Sequence, residues 1–485
     1  MSSQQSSGSL RHTESKGRPH ITLSGWTTMK YFVNAIPAAL ASREALMKRG
    51  MARYLHKYSV LCVCALILGF NAAIALQLLS RALVLPFDGI LCGSWLAFAF
   101  LSRSRIAPPV ASTSNPREIN VVDLLQREAV PMDFTEACAF LKGQVILVTG
   151  AAGSIGSELC RQLLDCQPEM LIALDTNETG LFDLVEGLRS RNHGYVARLQ
   201  PFIGDITDEQ RMSRLFAQER PNIVFHAAAY KHVPLLEQFP DLAIRTNALA
   251  TYHLCCIAQK YEITRFVFIS TDKAADPVSI MGASKRLGEM VVQSLARSSH
   301  GVTHFCVVRF GNVIGSRGSV VPVFTQQIEQ GGPLTVTDPE ATRYFMTIPE
   351  ACGLVILASA LAEQGGLYLL NMGEPVRIID LAVKMVKLCG LRVGHDIPIV
   401  YTGLRPGERL HETLVAADEE LLPTTNSRIL RIAQRAALPS LATMIEWLDT
   451  LENSLQREGS AELREYLFEI IVGNKLLVDY VQARS

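Results

Sequence analysis

An apolar segment that runs into a glycine-rich turn limits the fold of this chain more than any other feature. Residues 144–150 (QVILVTG) have the composition of a buried parallel strand, and an amphipathic helical pattern follows. Gly150 permits a tight turn, Gly153 allows the backbone to approach a pyrophosphate, and Gly156 allows the helix to pack on the strand. Because the glycines stand between a strand and a helix, they predict a dinucleotide site at the helix N-terminus.

Four further strand-like segments, MLIALD, RLQPFIGDITD, PNIVFHAAAY and RFVFIS, alternate with helical patterns. They predict an α/β fold, a doubly wound parallel-sheet Rossmann domain over residues 143–312. Asp175 lies nineteen residues past Gly156, where a carboxylate suits the ribose 2′-hydroxyl and favours NAD over NADP; a helix N-cap is the alternative. The other expected cofactor contacts are Ser154 and Ile155 in the turn, Asp205 and Ile206 after the third strand, and Ala227, Ala228 and Ala229 after the fourth.

Composition narrows the range of partners. The 46 basic and 46 acidic residues balance, so no nucleic-acid partner held by bulk charge is expected. Eleven cysteines show no CxxC or other metal-ligand spacing, which predicts reduced thiols acting as small apolar residues and no metal site. A mean hydropathy of +0.20 is high for a soluble enzyme and indicates a membrane segment.

Two apolar runs before the predicted domain form a candidate membrane hairpin. Residues 58–80 are 23 positions without formal charge, enough to cross a ~30 Å hydrocarbon core. Residues 82–102 are interrupted by Pro86 and Asp88 and are the weaker candidate; a buried soluble hairpin is the alternative for both. Basic residues cluster outside the two runs, whereas only Arg81 separates them, so the positive-inside rule puts both outer ends in the cytoplasm.

Six segments carry a family resemblance: VTGAAGSIGSEL, FHAAAYKHVPLLE, ISTDKAADPVSIMGASKR, VRFGNVIGSRGSVVP, TRYFMTIPEA and RPGERLHE. In this order they resemble the extended short-chain dehydrogenase/reductases. Within them, the chain is similar to the membrane-bound nucleotide-sugar 4,6-dehydratases of the polysaccharide-biosynthesis (CapD-like) type. The resemblance covers residues 118–435 and implies a UDP-sugar substrate, a recycled NAD with NADP as the alternative, and a bacterial inner-membrane location with a cytoplasmic catalytic domain.

The resemblance also implies catalytic roles. Asp272 would be the acid for the departing C6 hydroxyl and Lys273 the base for the C5 proton, with Thr271 limited to hydrogen bonding. A lysine base needs a lowered pKa, which burial or a neighbouring cation, Lys231 or Lys285, could supply. Lys285 matches the lysine of the YxxxK signature, but Met281 stands at the tyrosine position and cannot carry a proton. The acceptor of the 4-hydroxyl proton stays open between Asp272, Lys273 and a water relay.

The substrate is expected to contact polar residues in the later motif loops. Guanidinium groups suit a diphosphate, and Glu408 matches the family residue that meets the nucleotide ribose. For each of these arginines, the alternative to a contact with the diphosphate is an ion pair on the surface or within the structure. The full expected set is Lys231, Asn247, Arg309, Asn312, Arg317, Arg343, Arg405 and Glu408.

The whole chain therefore divides into six expected regions, and a homo-oligomer is expected. Two other functions stay open: a UDP-sugar 4- or 5-epimerase on the same fold, and a non-catalytic NAD-sensing membrane protein, which the missing tyrosine would favour. The regions are a polar tail with a basic juxtamembrane end (1–57), the hairpin (58–102), a linker (103–142), the Rossmann domain (143–312), a smaller substrate-binding subdomain (313–435) and C-terminal packing or oligomer helices (436–485).

Overall fold

The computed structural model describes residues 124, 133–190, 198–298, 301–435, 437–455 and 460–472. All of them belong to a unit that covers residues 109–485. The expected tail, the expected hairpin and most of the expected linker lie outside the described residues; the end of the linker region, residues 133–142, is described and contains a helix. Among the residues described, no helix combines the length and apolar character needed to cross a membrane.

Strands and helices alternate through the first half of the described chain, as the sequence predicts. The strands are β1 (Val145–Thr149), β2 (Met170–Asp175), β3 (Leu199–Ile203), β4 (Ile223–His226), β5 (Arg265–Ile269), β6 (His304–Arg309), β7 (Asn312–Ile314), β8 (Leu334–Val336), β9 (Thr342–Arg343), β10 (Phe345–Thr347), β11 (Gly366–Leu370), β12 (Val376–Arg377), β13 (Ile399–Tyr401), β14 (Glu419–Pro423) and β15 (Ile429–Gln434). The α-helices are α1 (Thr135–Leu141), α2 (Ser154–Asp165), α3 (Glu178–Ser190), α4 (Glu209–Glu219), α5 (Val233–Leu236), α6 (Pro240–Ala243), α7 (Ala250–Lys260), α8 (Ile280–Ser298), α9 (Val320–Glu329), α10 (Ile348–Leu361), α11 (Ile378–Leu388), α12 (Leu441–Ser454) and α13 (Ser460–Val472). A π-helical turn (Ile244–Leu249) joins α6 to α7, and a 3₁₀ turn (Asp272–Ala274) follows β5.

The main sheet has nine strands in the order β14-β15-β11-β6-β5-β4-β1-β2-β3. The strands from β3 across to β11 pair in parallel, and β15 and β14 extend the sheet antiparallel. The strand order reverses next to β1, where β2 lies on one side and β4 on the other. The predicted α/β Rossmann-type fold is therefore confirmed, and ligands of such sheets bind at the carboxyl ends of strands near this reversal.

Both faces of the sheet are covered, which explains why its strands read as continuous apolar runs. In β1, Leu147 faces a core shared with α4, α7 and α8, whereas Ile146 and Val148 face a second core shared with α2 and α10. All three side chains are fully buried. Alternate residues of one strand thus enter opposite cores, as the pleat requires.

A smaller subdomain lies beyond β6 and has its own apolar core. Phe324 of α9, Leu334 of β8, Leu381 and Met385 of α11, and Ile397 form this cluster. The expected division at residue 312 does not follow the sheet, however. β11 and β15 come later in the chain and still join the main sheet, because their apolar residues pack in the two main cores; β14 joins it at the edge by pairing with β15.

The C-terminal helices pack on the Rossmann domain itself. Met444 and Leu448 of α12 and Leu467 and Phe468 of α13 belong to the same buried cluster as α8. Of the two expected roles, packing is the one these contacts support. The homo-oligomer stays a prediction.

One expectation about cysteine is wrong. Cys138 of α1 and Cys166, the residue after α2, form a disulfide with a Cα–Cα distance of 4.6 Å. Their approach depends on how α1 packs against α2, which the spacing of 28 residues does not reveal. The other cysteines within the described residues, Cys160, Cys255, Cys256, Cys306, Cys352 and Cys389, are free.

Candidate active site

A cavity of about 740 Å³ opens at the carboxyl ends of the central strands, between the main sheet and the smaller subdomain. Most of the residues expected from the sequence line it. These are Gly150, Gly153, Ser154, Ile155, Gly156, Ala227, Ala229, Lys231, Thr271, Lys273, Met281, Lys285, Asn312, Arg317, Arg343, Arg405 and Glu408.

The glycine turn fits a dinucleotide phosphate. Gly150 has φ +69°, and a side chain there would lie 2.7 Å from the Ala228 backbone. A Cβ on Gly156 would overlap the Gly150 carbonyl group. Gly153 caps α2 without a side-chain hydrogen bond, so the first N–H groups of the helix remain available to an anion. At Gly150 and Gly156, therefore, only glycine is compatible with this close-packed turn.

Asp175, Asp205 and Ile206 lie at the β2–β3 side of the turn, outside the cavity lining. Asp175 accepts hydrogen bonds from the backbone N–H of Ala152 and Asn177, both at 2.9 Å. Asp205 accepts one from the N–H of Thr207, and Ile206 is buried. Asp175 therefore braces the glycine turn, and its contact with a ribose stays a prediction.

Lys285 is a buried amine in the cavity wall. Only 5% of the residue is exposed, and its Nζ lies 3.9 Å from the ring centroid of Phe268. It has no hydrogen-bond acceptor or ion pair among the described residues, and burial lowers its pKa to about 7. Met281 lies one helical turn earlier on α8, on the same face. The Lys285 amine can therefore lose its proton near neutral pH and act as a base.

The loop after β5 holds the candidate acid and base together. The Oδ1 of Asp272 accepts hydrogen bonds from the Thr271 hydroxyl (2.8 Å), the Lys273 N–H (2.9 Å) and the Lys273 Nζ (3.0 Å). The Oδ2 of Asp272 is buried and has no hydrogen-bond partner among the described residues. A Cβ on Gly311 would approach this oxygen to 2.9 Å, so glycine keeps the space beside it open. A buried carboxylate oxygen without a partner is costly unless a ligand uses it.

The expectation that the pKa of Lys273 is lowered is wrong. Burial does lower it, but the charges of Asp272 and Glu412 more than compensate, so the pKa of Lys273 lies above its ordinary value. Its Nζ donates to Asp272 and to the Asn312 Oδ1, each at 3.0 Å, and lies 3.4 Å from Glu412. Neither expected cation, Lys231 or Lys285, is among the groups that shift it.

Arg343 anchors the far side of the cavity. Its Nη2 donates to Glu408 at 2.9 Å, and its Nε lies 3.5 Å from Glu412. Glu408 also accepts from the backbone N–H of Arg405. Sequence reasoning singled out Glu408 in RPGERLHE and missed Glu412, four residues later in the same motif.

Arg317 ties the smaller subdomain to the glycine turn. Its Nη1 donates to the Ala152 carbonyl at 2.9 Å, and its backbone N–H donates to the Ser154 hydroxyl at 3.1 Å. Lys231 donates to the Arg317 carbonyl at 2.7 Å. Arg317 and Lys231 thus lie between the expected cofactor and substrate regions.

Two residues expected to contact substrate do not line the cavity. Arg309 is fully buried and pairs with Glu289 (2.6 Å) and Glu419 (2.7 Å), so its assignment to a diphosphate is wrong. Asn247, also fully buried, bonds the backbone N–H and carbonyl of Tyr230 and the Ser284 hydroxyl. It fixes the loop that carries Lys231, and its assignment as a substrate contact is corrected accordingly.

Comparison with known proteins identifies the class of this fold and site. The structure is similar to the X-ray structure of Pen from Bacillus thuringiensis, with a TM-score of 0.56 and 31% identity over 65% of this chain and 98% of that one. Residues 146–434 match the family described as polysaccharide biosynthesis protein. The chain belongs to this family, and the resemblance to its CapD-like members is confirmed.

Two curated relatives illustrate the range of proteins to which the chain is similar. The chain is 47% identical over 306 residues to the capsular polysaccharide biosynthesis protein CapD of Staphylococcus aureus, covering 63% of this chain and 51% of that protein. It therefore spans about half the length of this relative. It is 34% identical over 282 residues to a UDP-glucose 4-epimerase of Rickettsia typhi, covering 57% of this chain and 79% of that protein.

Proposed function

We propose that the chain is a nucleotide-sugar 4,6-dehydratase that acts on UDP-N-acetylglucosamine and forms the 4-keto-6-deoxy sugar for bacterial surface polysaccharide. The observation that carries this proposal is the hydrogen-bonded Asp272–Lys273 pair: Lys273 lines the cavity, and Asp272 lies buried behind the lining with an Oδ2 that has no partner among the described residues. Dehydration needs an acid at C6 and a base at C5. Interconversion of the C4 configuration alone needs neither.

The glycine turn, Asp175 and Lys285 are the residues that would hold the dinucleotide, with NAD favoured and NADP the alternative. When bound, it supplies a hydride acceptor that oxidises C4 and later reduces C6. Gly150 and Gly156 leave room for the backbone to approach its phosphates, and the free N–H groups of α2 would bind them. Arg317 lies over the same turn and would help retain the molecule.

One proton transfer prepares both the acid and the base. Moving a proton from the Lys273 Nζ to Asp272 across their 3.0 Å hydrogen bond gives a neutral amine beside a protonated carboxyl group. Lys273 then takes the C5 proton as Asp272 protonates the departing C6 hydroxyl. The charged pair present in the structure is thereby restored, and the Lys273 ammonium can return a proton to C5.

The 4-hydroxyl proton requires a separate acceptor, because Met281 cannot carry one. We assign this role to Lys285, which lines the cavity one turn from Met281, lacks an acceptor among the described residues and has a pKa of about 7. Lys273 is occupied by three acceptors, and Asp272 is needed at C6. Over the whole cycle, counted from the charged Asp272–Lys273 pair, Lys285 gains one proton and Lys273 is left one proton short, so a single transfer through solvent resets the site.

The outer part of the cavity suits the nucleotide. Arg317, Arg343 and Arg405 supply guanidinium groups for the diphosphate, and Glu408 would meet the ribose hydroxyls. The apolar runs at 58–102 would anchor the enzyme in the inner membrane with this cavity in the cytoplasm. Each of these assignments is part of the proposal.

A UDP-sugar 4-epimerase is the second candidate, favoured by the similarity to the Rickettsia enzyme. A non-catalytic NAD sensor is the third. Incubating the purified full-length chain with UDP-N-acetylglucosamine separates them by product mass. Loss of one water supports the dehydratase, an unchanged mass with altered configuration supports the epimerase, and an unchanged substrate supports the sensor.

A further inference from the structure

Glu412 is a buried carboxylate that joins the candidate base to the substrate side of the cavity. The residue is only 9% exposed. Its Oε1 lies 3.4 Å from the Lys273 Nζ and 3.5 Å from the Arg343 Nε. A carboxylate this deeply buried is retained where cations compensate its charge, and here Lys273 and Arg343 do so.

The surroundings of Lys273 match its protonated form. An ammonium group has three N–H donors and no acceptor. Asp272, Asn312 and Glu412 place three oxygens around it, two of them charged. The nearby charge of Arg343 acts in the opposite direction and lowers the pKa of Lys273, but Arg343 is itself paired with Glu408 and Glu412.

We infer that Glu412 is a positioning residue that aims Lys273 and stabilises the ammonium formed when Lys273 accepts the C5 proton. This inference rests on the proposed dehydratase function. In the step concerned, the C5–H bond breaks and an N–H bond forms on Lys273. The electron pair left at C5 forms the C5–C6 double bond, and the C6 oxygen leaves as water with the proton of Asp272. No external oxidant or reductant takes part.

A base is strengthened by any neighbour that stabilises its conjugate acid. Glu412 raises the pKa of Lys273 together with Asp272, but Asp272 gives up its charge when it is protonated to serve as the acid. Among the described residues, Glu412 is then the remaining negative charge that pairs with Lys273. Its effect should therefore fall on C5 proton removal and leave the earlier hydride transfer from C4 intact.

Glu412→Gln in the full-length chain tests this directly. In a single turnover with UDP-N-acetylglucosamine, reduced nicotinamide should form at close to the wild-type rate and then persist. Exchange of the C5 proton with D₂O should fall by at least about tenfold. The acid limb of the pH dependence of exchange should move to lower pH, and Glu412→Asp should recover part of the exchange.

Glu408→Gln provides a matched comparison, because Glu408 shares Arg343 with Glu412 and makes no ion pair with Lys273 in the described structure. It should weaken substrate binding without persistence of reduced nicotinamide. Equal slowing of hydride transfer and C5 exchange in Glu412→Gln, with no recovery by aspartate, would overturn the positioning role. A wild-type chain that reduces the nicotinamide but releases no water would instead overturn the proposed function, and this inference with it.

Discussion

Replacing Lys285 by methionine should stabilise the fold while it abolishes the chemistry. Burial lowers the pKa of Lys285 from its ordinary value of 10.5 to about 7. In the unfolded chain the amine is protonated at pH 7, whereas in the folded chain it is half protonated. Because of this difference in proton binding, the free energy of unfolding at pH 7 is about 4 kcal/mol lower than it would be without the pKa shift. A methionine side chain fills a similar volume and has no charge to bury.

The direction in which stability changes with pH depends on which state binds more protons. Between about pH 7 and about pH 10.5 the unfolded chain binds the additional proton, so stability of the wild type rises with pH across this window. Below about pH 7 the cost is fully present. The advantage of Lys285→Met should therefore be largest near and below neutrality and should disappear towards pH 10.5.

Denaturant or thermal unfolding of wild type and Lys285→Met at several pH values measures this difference. Subtracting the two curves removes the contribution of other titrating groups, such as Tyr252 and the buried cysteines. The variant should also fail to reduce the nicotinamide, and in the wild type that step should accelerate as pH rises through about 7. A variant that is less stable at pH 7, or a difference that is independent of pH, would refute the reasoning.

Three further substitutions probe other parts of the account. Asp272→Asn should slow water release by about 10²–10⁴-fold while nicotinamide reduction persists, and parallel loss of both steps in a stopped-flow trace would contradict its role at C6. Gly156→Ala should lose bound dinucleotide on gel filtration, because the new methyl group would overlap the Gly150 carbonyl; full retention would argue against the turn as the phosphate site. Arg309→Met should lower the free energy of unfolding by about 3–5 kcal/mol, because it removes the fully buried cation and leaves Glu289 and Glu419 to share Arg286; a folded, stable variant that only binds substrate more weakly would restore its diphosphate role.

The parts of the fold that depend on local pattern could be predicted from the sequence. The apolar run at 145–149 and the glycines after it define a strand, a turn and a helix start within one short segment. Thr271, Asp272 and Lys273 were found the same way, because they follow a recognisable strand. The predicted membrane hairpin lies outside the described residues and stays a prediction.

The errors concern contacts made over long sequence distances. Arg309 looked like a ligand for phosphate because its partners are distant in sequence: Glu289 lies 20 residues before it and Glu419 lies 110 residues after it. The pKa of Lys273 could not be foreseen for a similar reason, since Glu412 comes from a distant loop. β11 and β15 likewise return to the main sheet, although the sequence predicted that this domain ends at residue 312, because their apolar residues are buried in its two cores.

The most direct test of the central claim is the product formed from UDP-N-acetylglucosamine by the full-length chain in D₂O. Mass spectrometry and proton NMR of that product report water loss and C5 labelling together. We expect a 4-keto-6-deoxy sugar that has lost one water and carries one solvent deuterium at C5. A product of unchanged mass, or a dehydrated product without deuterium at C5, would contradict it.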